Sequence, residues 1–260
     1  MQLVGDVLRH FLLSKLGDCS LMQQAQVASI RNPTSAYWDT NPRFALRKQQ
    51  RWIKDAYQGK CRVAIWPEHR LLYLRLPKCG NSSVVASLPN PELRRLRPRK
   101  LAGSLADWTT FTFVRNPWSR LVSTYRQKVA AGATTSRFRD GVFEGFLERG
   151  MPVYSGISFE EFCELACSFP DRDTEKHLQS QSYVLMRKGK AVVKIVGRVE
   201  TISEDWRRIA AIAGISVELP KLNVSNAGGA HYREYYRDSH LVNLVGDRYA
   251  DDVANFDYDF

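Results

Sequence analysis

The chain has 260 residues, 44% of them hydrophobic and 25% charged, and carries a formal net charge of +11 at pH 7. That length suits one α/β domain with peripheral additions and buries a core large enough to exclude dependence on disulfides or a structural metal. The cationic excess requires an anionic partner, whether nucleic acid, acidic glycan, membrane surface or nucleotide phosphate, and by itself does not choose among them.

Five cysteines (Cys19, Cys61, Cys79, Cys163, Cys167) show no paired CxxC spacing. Cys163 and Cys167 stand four apart with no His or further Cys pair nearby, so they read as small buried hydrophobes rather than zinc ligands. Residues 3–16 repeat apolar positions at helical spacing, but Asp6, Arg9, His10 and Lys15 interrupt them. The segment is too short and too charged for a bilayer span or a signal peptide. It is expected to be an amphipathic helix. With a second helix from about Pro42 to Tyr57 it forms a helical extension, residues 1–60, packed on a single domain covering 1–260.

Leu71 to Leu76 is a short apolar run ending at Pro77, which predicts a buried strand. Lys78-Cys79-Gly80-Asn81-Ser82-Ser83 follows, then an apolar stretch, Val84 to Leu88, that opens like a helix. The basic run Arg94 to Lys100 reads as solvated surface. Thr109 to Val114 predicts a second strand, running into Arg115-Asn116-Pro117 and a helix to about Ala131, with Pro117 in the first turn. Strand–loop–helix thus occurs twice, as in parallel α/β sheets. Residues 132–190 read as helices and loops. Tyr183–Met186 and Ala191–Val196 predict a hairpin across Arg187-Lys188-Gly189-Lys190. A helix starting near Ser203 and Asp205 is stopped by Gly214. A last helix, about Asp238 to Tyr249, precedes an aromatic tail, Phe256 to Phe260.

The chemistry concentrates at the two strand ends. In the loop 77–83, Gly80 permits a close backbone approach, successive N–H groups can cradle an anion, and Lys78 adds a mobile positive charge. Ser82 and Ser83 add hydroxyl donors. The GxxxxGK[ST] pattern is absent, so this is not a Walker A loop. Arg115 emerges at the carboxyl end of the second strand, where open α/β sheets bind ligands. Ser123 lies two helical turns further on. An Arg fork with a Ser hydroxyl suits a terminal phosphate. Arg120 fits a salt bridge as well as a ligand contact.

These stretches together resemble the phosphosulfate-binding elements of the Golgi-type carbohydrate sulfotransferases, PK-x-(A/G)-x-(S/T)-(S/T) and R-(D/N)-P-x-x-R-L-x-S-x-Y. Val196-Gly197-Arg198-Val199-Glu200-Thr201-Ile202 is similar to a later segment of that family. Leu222-Asn223-Val224-Ser225, Tyr235-Tyr236 and Tyr249 to Phe260 are similar to its C-terminal pattern. The matching motifs run in order from about Leu72 to Phe260. The resemblance implies a P-loop-like parallel sheet flanked by helices and the donor 3′-phosphoadenosine-5′-phosphosulfate (PAPS). Residues Lys78, Cys79, Gly80, Asn81, Ser82 and Ser83 would hold the 5′-phosphosulfate, and Arg115 with Ser123 the 3′-phosphate. Lys78 would stabilise the leaving phosphate, with no metal required.

An acceptor hydroxyl needs a general base. His177 is the first choice among five histidines, because Glu175 to Ser182 resembles the family's H-(W/L)-x-x-Q-x segment; Glu144, Glu160 and Asp107 are the carboxylate alternatives. Cys79 is expected to pack within the loop, since sulfuryl transfer needs no thiolate. The resemblance favours a saccharide or glycolipid acceptor, and the expected setting is the bacterial cytoplasm, without a membrane span. Two other classes stand beside it. A P-loop small-molecule kinase would require a Mg²⁺-binding hydroxyl directly after the loop lysine, where this chain has Cys79. A non-catalytic polyanion, nucleotide or nucleic-acid binder follows from charge alone, but basic residues interleaved with exposed aromatics are not found.

Overall fold

A computed structural model of the chain describes residues 60–97, 101, 105, 107–130, 138–139, 142–147, 149–151, 153–220 and 232–260. The helices expected before residue 60 and the segment Leu222 to Ser225 lie outside them.

The first strand, β1 (Cys61–Trp66), turns back through a short 3₁₀ segment, Pro67–His69, into β2 (Leu71–Leu74). Arg70 closes that reversal in the left-handed region, at φ 45°. The loop 75–80 leads to a five-residue helix, α1 (Asn81–Val85), and then to β3 (Glu92–Leu96). Next come β4 (Thr109–Val114) and the long helix α2 (Pro117–Lys128). A two-residue ribbon joins β5 (Phe138–Arg139) to β6 (Val142–Phe143), ahead of α3 (Glu144–Leu147) and α4 (Phe159–Ser168). Helix α5 (Gln181–Leu185) runs into a second small ribbon, β7 (Met186–Arg187) with β8 (Lys190–Ala191). Strand β9 (Ile195–Arg198) and helices α6 (Ile202–Ile212), α7 (Ser239–Arg248) and α8 (Ala250–Phe256) complete the order.

The main sheet has the order β3-β1-β2-β4-β9. Its functional half is parallel: β2 pairs with β4, and β4 with β9. Two antiparallel strands, β1 and β3, extend that parallel core on the β2 side. The central strands β2 and β4 are buried on both faces; β2 is wholly apolar, while β4 carries Thr110 and Thr112 in the interior, with Thr112 Oγ1 donating to Leu74 O at 2.8 Å. Tyr73, Phe111 and Phe113 alternate onto one face, where Phe111 stacks on Tyr73 at 5.0 Å and meets Trp206 of α6 at 6.0 Å. Fully burying a side chain of the size of Phe113 contributes about 1.5–3 kcal/mol. A second apolar cluster lies among α2, α4, α7 and the C-terminal aromatics, with Trp118, Phe162, Leu241, Val245 and Tyr249 at its centre.

Several expectations are corrected. Tyr183–Leu185 is helix, not strand, because the Ser180 side chain accepts from Tyr183 N and Asp252 accepts from the N–H groups of Gln181 and Ser182. The hairpin is only the β7–β8 ribbon, with Lys188 and Gly189 both at positive φ. Ile195 and Val196 belong instead to the main sheet. The described part of the basic run is solvated as expected, and its first residues lie in an exposed edge strand, β3. The helix expected from Asp238 ends at Arg248 and is followed by α8.

Candidate active site

Three parallel strands release the chain side by side at their carboxyl ends: 75–80 after β2, Arg115-Asn116 after β4, and 199–201 after β9. The first of these is bent tightly. Lys78 takes φ +69° and Gly80 φ +72°. A Cβ on Gly80 would also come within 2.6 Å of Ile202 Cδ1, so glycine serves both conformation and packing. The bend is tied from inside. Asn81 Nδ2 donates to Leu76 O at 2.6 Å, and the buried Tyr73 hydroxyl lies 3.0 Å from Cys79 O and 2.8 Å from Asn81 Oδ1.

These bonds divide the loop residues by role. The Asn81 side chain is spent on the loop itself. Cys79 is fully buried, its thiol donates to Gln181 Oε1 at 3.3 Å, and burial pushes it up to about 11, so no thiolate forms near neutrality. Ser83 is buried and Ser82 exposed. No side chain caps α1 at Gly80, whereas Asn116, Ser158, Ser180 and Asp238 cap α2, α4, α5 and α7. Its first N–H groups have no intrahelical acceptor.

The cations converge on this loop. Lys78 Nζ donates to Gln127 Oε1 at 2.8 Å, on the last turn of α2. Arg115 Nε donates to Ser119 Oγ at 3.0 Å, and its Nη1 lies 3.4 Å from Lys78 O. Ser119, Ser123 and Gln127 are spaced four apart, one stripe of α2. Since Arg115 touches the first and Lys78 the last, the half-buried Ser123 sits between them on the same side. Among the described residues no ion pair engages Lys78, Arg115 or Arg120. Burial, then the charges of Arg115 and Lys128, pushes the Lys78 amine down to about 7. Arg75, two residues before Pro77, has a buried Nε with no hydrogen-bond partner.

Arg120 is a buried structural cation, 3% exposed. Its Nε donates to Pro77 O at 3.2 Å and its Nη1 to Gln179 O at 2.8 Å, which links the loop to the histidine segment. His177 itself is mostly buried. Its Nδ1 lies 2.7 Å from Glu175 Oε2, and the same oxygen accepts from His177 N at 2.7 Å. Those contacts hold the Glu175 carboxyl down at about 2, while burial, outweighing Glu175, holds His177 below its ordinary value. The Phe143 ring meets His177 edge-on at 5.9 Å, and Lys128 Nζ lies over the Phe143 face at 4.3 Å. Lys128 therefore stands between the loop and the histidine, and its charge bears on both Lys78 and His177.

Of the carboxylate alternatives, Glu144 opens α3, beside Gly145, which packs against Glu175. Glu160 is exposed on the first turn of α4. Asp107 is exposed before β4, at the opposite end of that strand from Arg115. Among the described residues no group of three or more His, Cys, Asp or Glu side chains converges as a metal site would.

Two residues given no role in the sequence hold the site together. Gln181 accepts from Arg115 N at 2.8 Å through Oε1 and donates to Arg115 O at 2.8 Å through Nε2, pairing with that backbone as a neighbouring strand would. Glu200 accepts from Asn116 N at 2.8 Å and from the Tyr258 hydroxyl at 3.1 Å. The signal for Gln181 was present, since it is the glutamine of the His177 segment. Glu200 likewise belongs to the segment 196–202.

No curated protein and no solved structure matches the chain. A family model described as the Sulfotransferase family matches residues 89–259, beginning just after the Lys78 loop. That match includes Arg115, His177, Gln181, Glu200 and the C-terminal aromatics, most of the chain, and the chain belongs to the sulfotransferase family.

Proposed function

We propose that the protein transfers the sulfuryl group of PAPS to a hydroxyl of a saccharide-type acceptor, in a reducing, cytoplasmic setting. The observation that carries this reading is the pair Lys78 and Arg115, on adjacent strand ends, with no carboxylate ion-paired to either among the described residues. A doubly phosphorylated nucleotide supplies the missing negative charge. Lys78, the N–H groups of residues 80–83 and the Ser82 and Ser83 hydroxyls would hold the phosphosulfate. Arg115 and Ser123 would hold the 3′-phosphate.

When bound, PAPS supplies an activated sulfuryl group whose departure leaves adenosine 3′,5′-bisphosphate. The chain's own residues do the rest. Lys78 neutralises the charge that develops on the leaving phosphate oxygen. His177, neutral at rest through burial, takes the acceptor's proton. The resemblance to carbohydrate sulfotransferases supports a sugar hydroxyl as acceptor, and free thiols at Cys61, Cys79, Cys163 and Cys167 support the reducing setting.

The test is calorimetric binding of adenosine 3′,5′-bisphosphate, with AMP and ATP–Mg²⁺ as controls. Binding that needs the 3′-phosphate is the expected result; preference for ATP–Mg²⁺ would replace this reading with a kinase. Arg115→Ala should weaken bisphosphate binding about 10- to 100-fold, the worth of one charge-assisted contact. His177→Ala should leave that affinity unchanged and lower kcat by about 10²–10⁴. Retained turnover in His177→Ala would move the base to a carboxylate.

A further inference from the structure

Glu175 has no place in the mechanism so far, yet it is among the most constrained groups near the site. Its side chain is 6% exposed, and one oxygen, Oε2, accepts from the His177 backbone N–H while lying 2.7 Å from Nδ1 of the same residue. Lys176 Nζ lies 3.8 Å from its other oxygen. The far side is closed by α3, where a Cβ on Gly145 would stand 3.1 Å from Glu175 Cγ and Oε1. The carboxylate is therefore held in place on both sides, and an ionised carboxylate oxygen, which only accepts, makes a good partner at 2.7 Å only for a protonated Nδ1. His177 Nε2 has no hydrogen bond among the described residues.

We infer that Glu175 is a positioning residue for the transfer reaction, holding His177 in the tautomer with Nδ1 protonated so that Nε2 is the proton-accepting nitrogen. This rests on the reading of His177 as base. In the step it serves, the acceptor O–H bond breaks and its proton goes to Nε2. The acceptor oxygen's electron pair forms the new S–O bond, while the pair of the old S–O bond leaves with the phosphate. The imidazolium so formed stays 2.7 Å from a fixed negative charge. Glu175 favours that cation; Lys176 on the same turn and Lys128 of α2 oppose it, and Phe143 contributes no charge.

Nitrogen-15 NMR of the imidazole in the unaltered protein reads the tautomer directly. Protonated Nδ1 with bare Nε2 is expected, and the reverse overturns the proposal. Glu175→Gln keeps the side-chain volume and removes the charge. Its kcat should fall about 10- to 100-fold, with bisphosphate affinity unchanged and the acid limb of the kcat–pH profile moved to lower pH, because the imidazolium loses its partner. Glu175→Asp should recover part of both effects. Should Glu175→Gln not fold, as judged by thermal melting and lost bisphosphate binding, the NMR result alone decides. An inactive His177→Ala beside a Glu175→Gln enzyme with unmoved kcat and pH limb sinks the positioning role alone; an active His177→Ala sinks the base assignment as well.

Discussion

Lys78 concentrates the site's electrostatics in one side chain. Placed in the left-handed region at φ +69°, it is held half-buried between Arg115 and Lys128 and titrates near 7. An anion binds the protonated amine best, so bound ligand raises that pKa and binding takes up a proton. Bisphosphate affinity should then be full below pH 7 and fall as pH rises through 7, by up to tenfold per unit until the bound-state pKa is reached. The ligand's phosphates have ionised by then, their second pKa lying near 6, so the loss reports on the protein. Calorimetry from pH 6.5 to 9 should show this slope, and Lys78→Arg, charged throughout, should flatten it. An equal slope in both proteins would remove Lys78 from the anion's contacts.

At the scale of elements, the site is a set of strand ends fastened by side chains from elsewhere. Gln181 makes four hydrogen-bonding contacts in the interior and leaves a backbone N–H and C=O of Arg115 unpaired if removed. Gln181→Leu should therefore cost about 2–6 kcal/mol, at 1–3 kcal/mol for each of the two orphaned groups, and lower the melting temperature by roughly 4–24 °C. Gly80→Ala should cost about 1–2 kcal/mol from the left-handed backbone alone. Adding Ile202→Ala relieves the 2.6 Å contact but not that strain, so recovery in the double variant should be incomplete.

The same scale shows what the chain discloses about itself and what it conceals. β2 and β4 and the turns after them announce themselves, β2 as a continuous apolar run and β4 by its Thr, Phe and Val content, each followed by a loop that carries the cations. β1 is equally apolar, but its reversal into β2 uses Pro67 and a left-handed Arg70 rather than an Asn-Gly turn, so no hairpin signal marks it. β3 pairs through its backbone while its side chains, Arg94 and Arg95 among them, face water; a charged edge strand has the composition of a loop. The α5 helix is only half visible locally: Ser180 caps it from the adjacent position, but the carboxylate that takes its first two N–H groups, Asp252, comes from 70 residues away. Lys78, Arg115 and His177 could be picked out by type and position. Gln181 and Glu200 lay within recognised segments, but their roles, like that of Glu175, come from the contacts that folding creates.

Over the whole molecule, the last residues close the site. Asn116 Nδ2 donates to Asp259 O at 2.7 Å, Arg198 Nη2 to Phe256 O at 2.7 Å, and the Tyr258 hydroxyl to Glu200 at 3.1 Å. Phe260 packs edge-on against Trp118 at 5.7 Å. The C-terminal segment thus bridges the ends of β4 and β9 on either side of Arg115. Deleting residues 257–260 should lower bisphosphate affinity at least tenfold while leaving the His177 tautomer unchanged. Tyr258→Phe, which loses one hydroxyl, should do much less.

Arg120 carries the longest reach. One flat guanidinium takes Pro77 O on one nitrogen and Gln179 O on another. The spacing between the loop and the histidine segment is therefore spanned by one planar group that holds both carbonyls at once. If those two segments flank the acceptor, as proposed above, Arg120→Lys, which cannot hold both carbonyls from one flat fork, should loosen discrimination among acceptors, read as a narrowed ratio of kcat/KM values between a small and a bulky sugar.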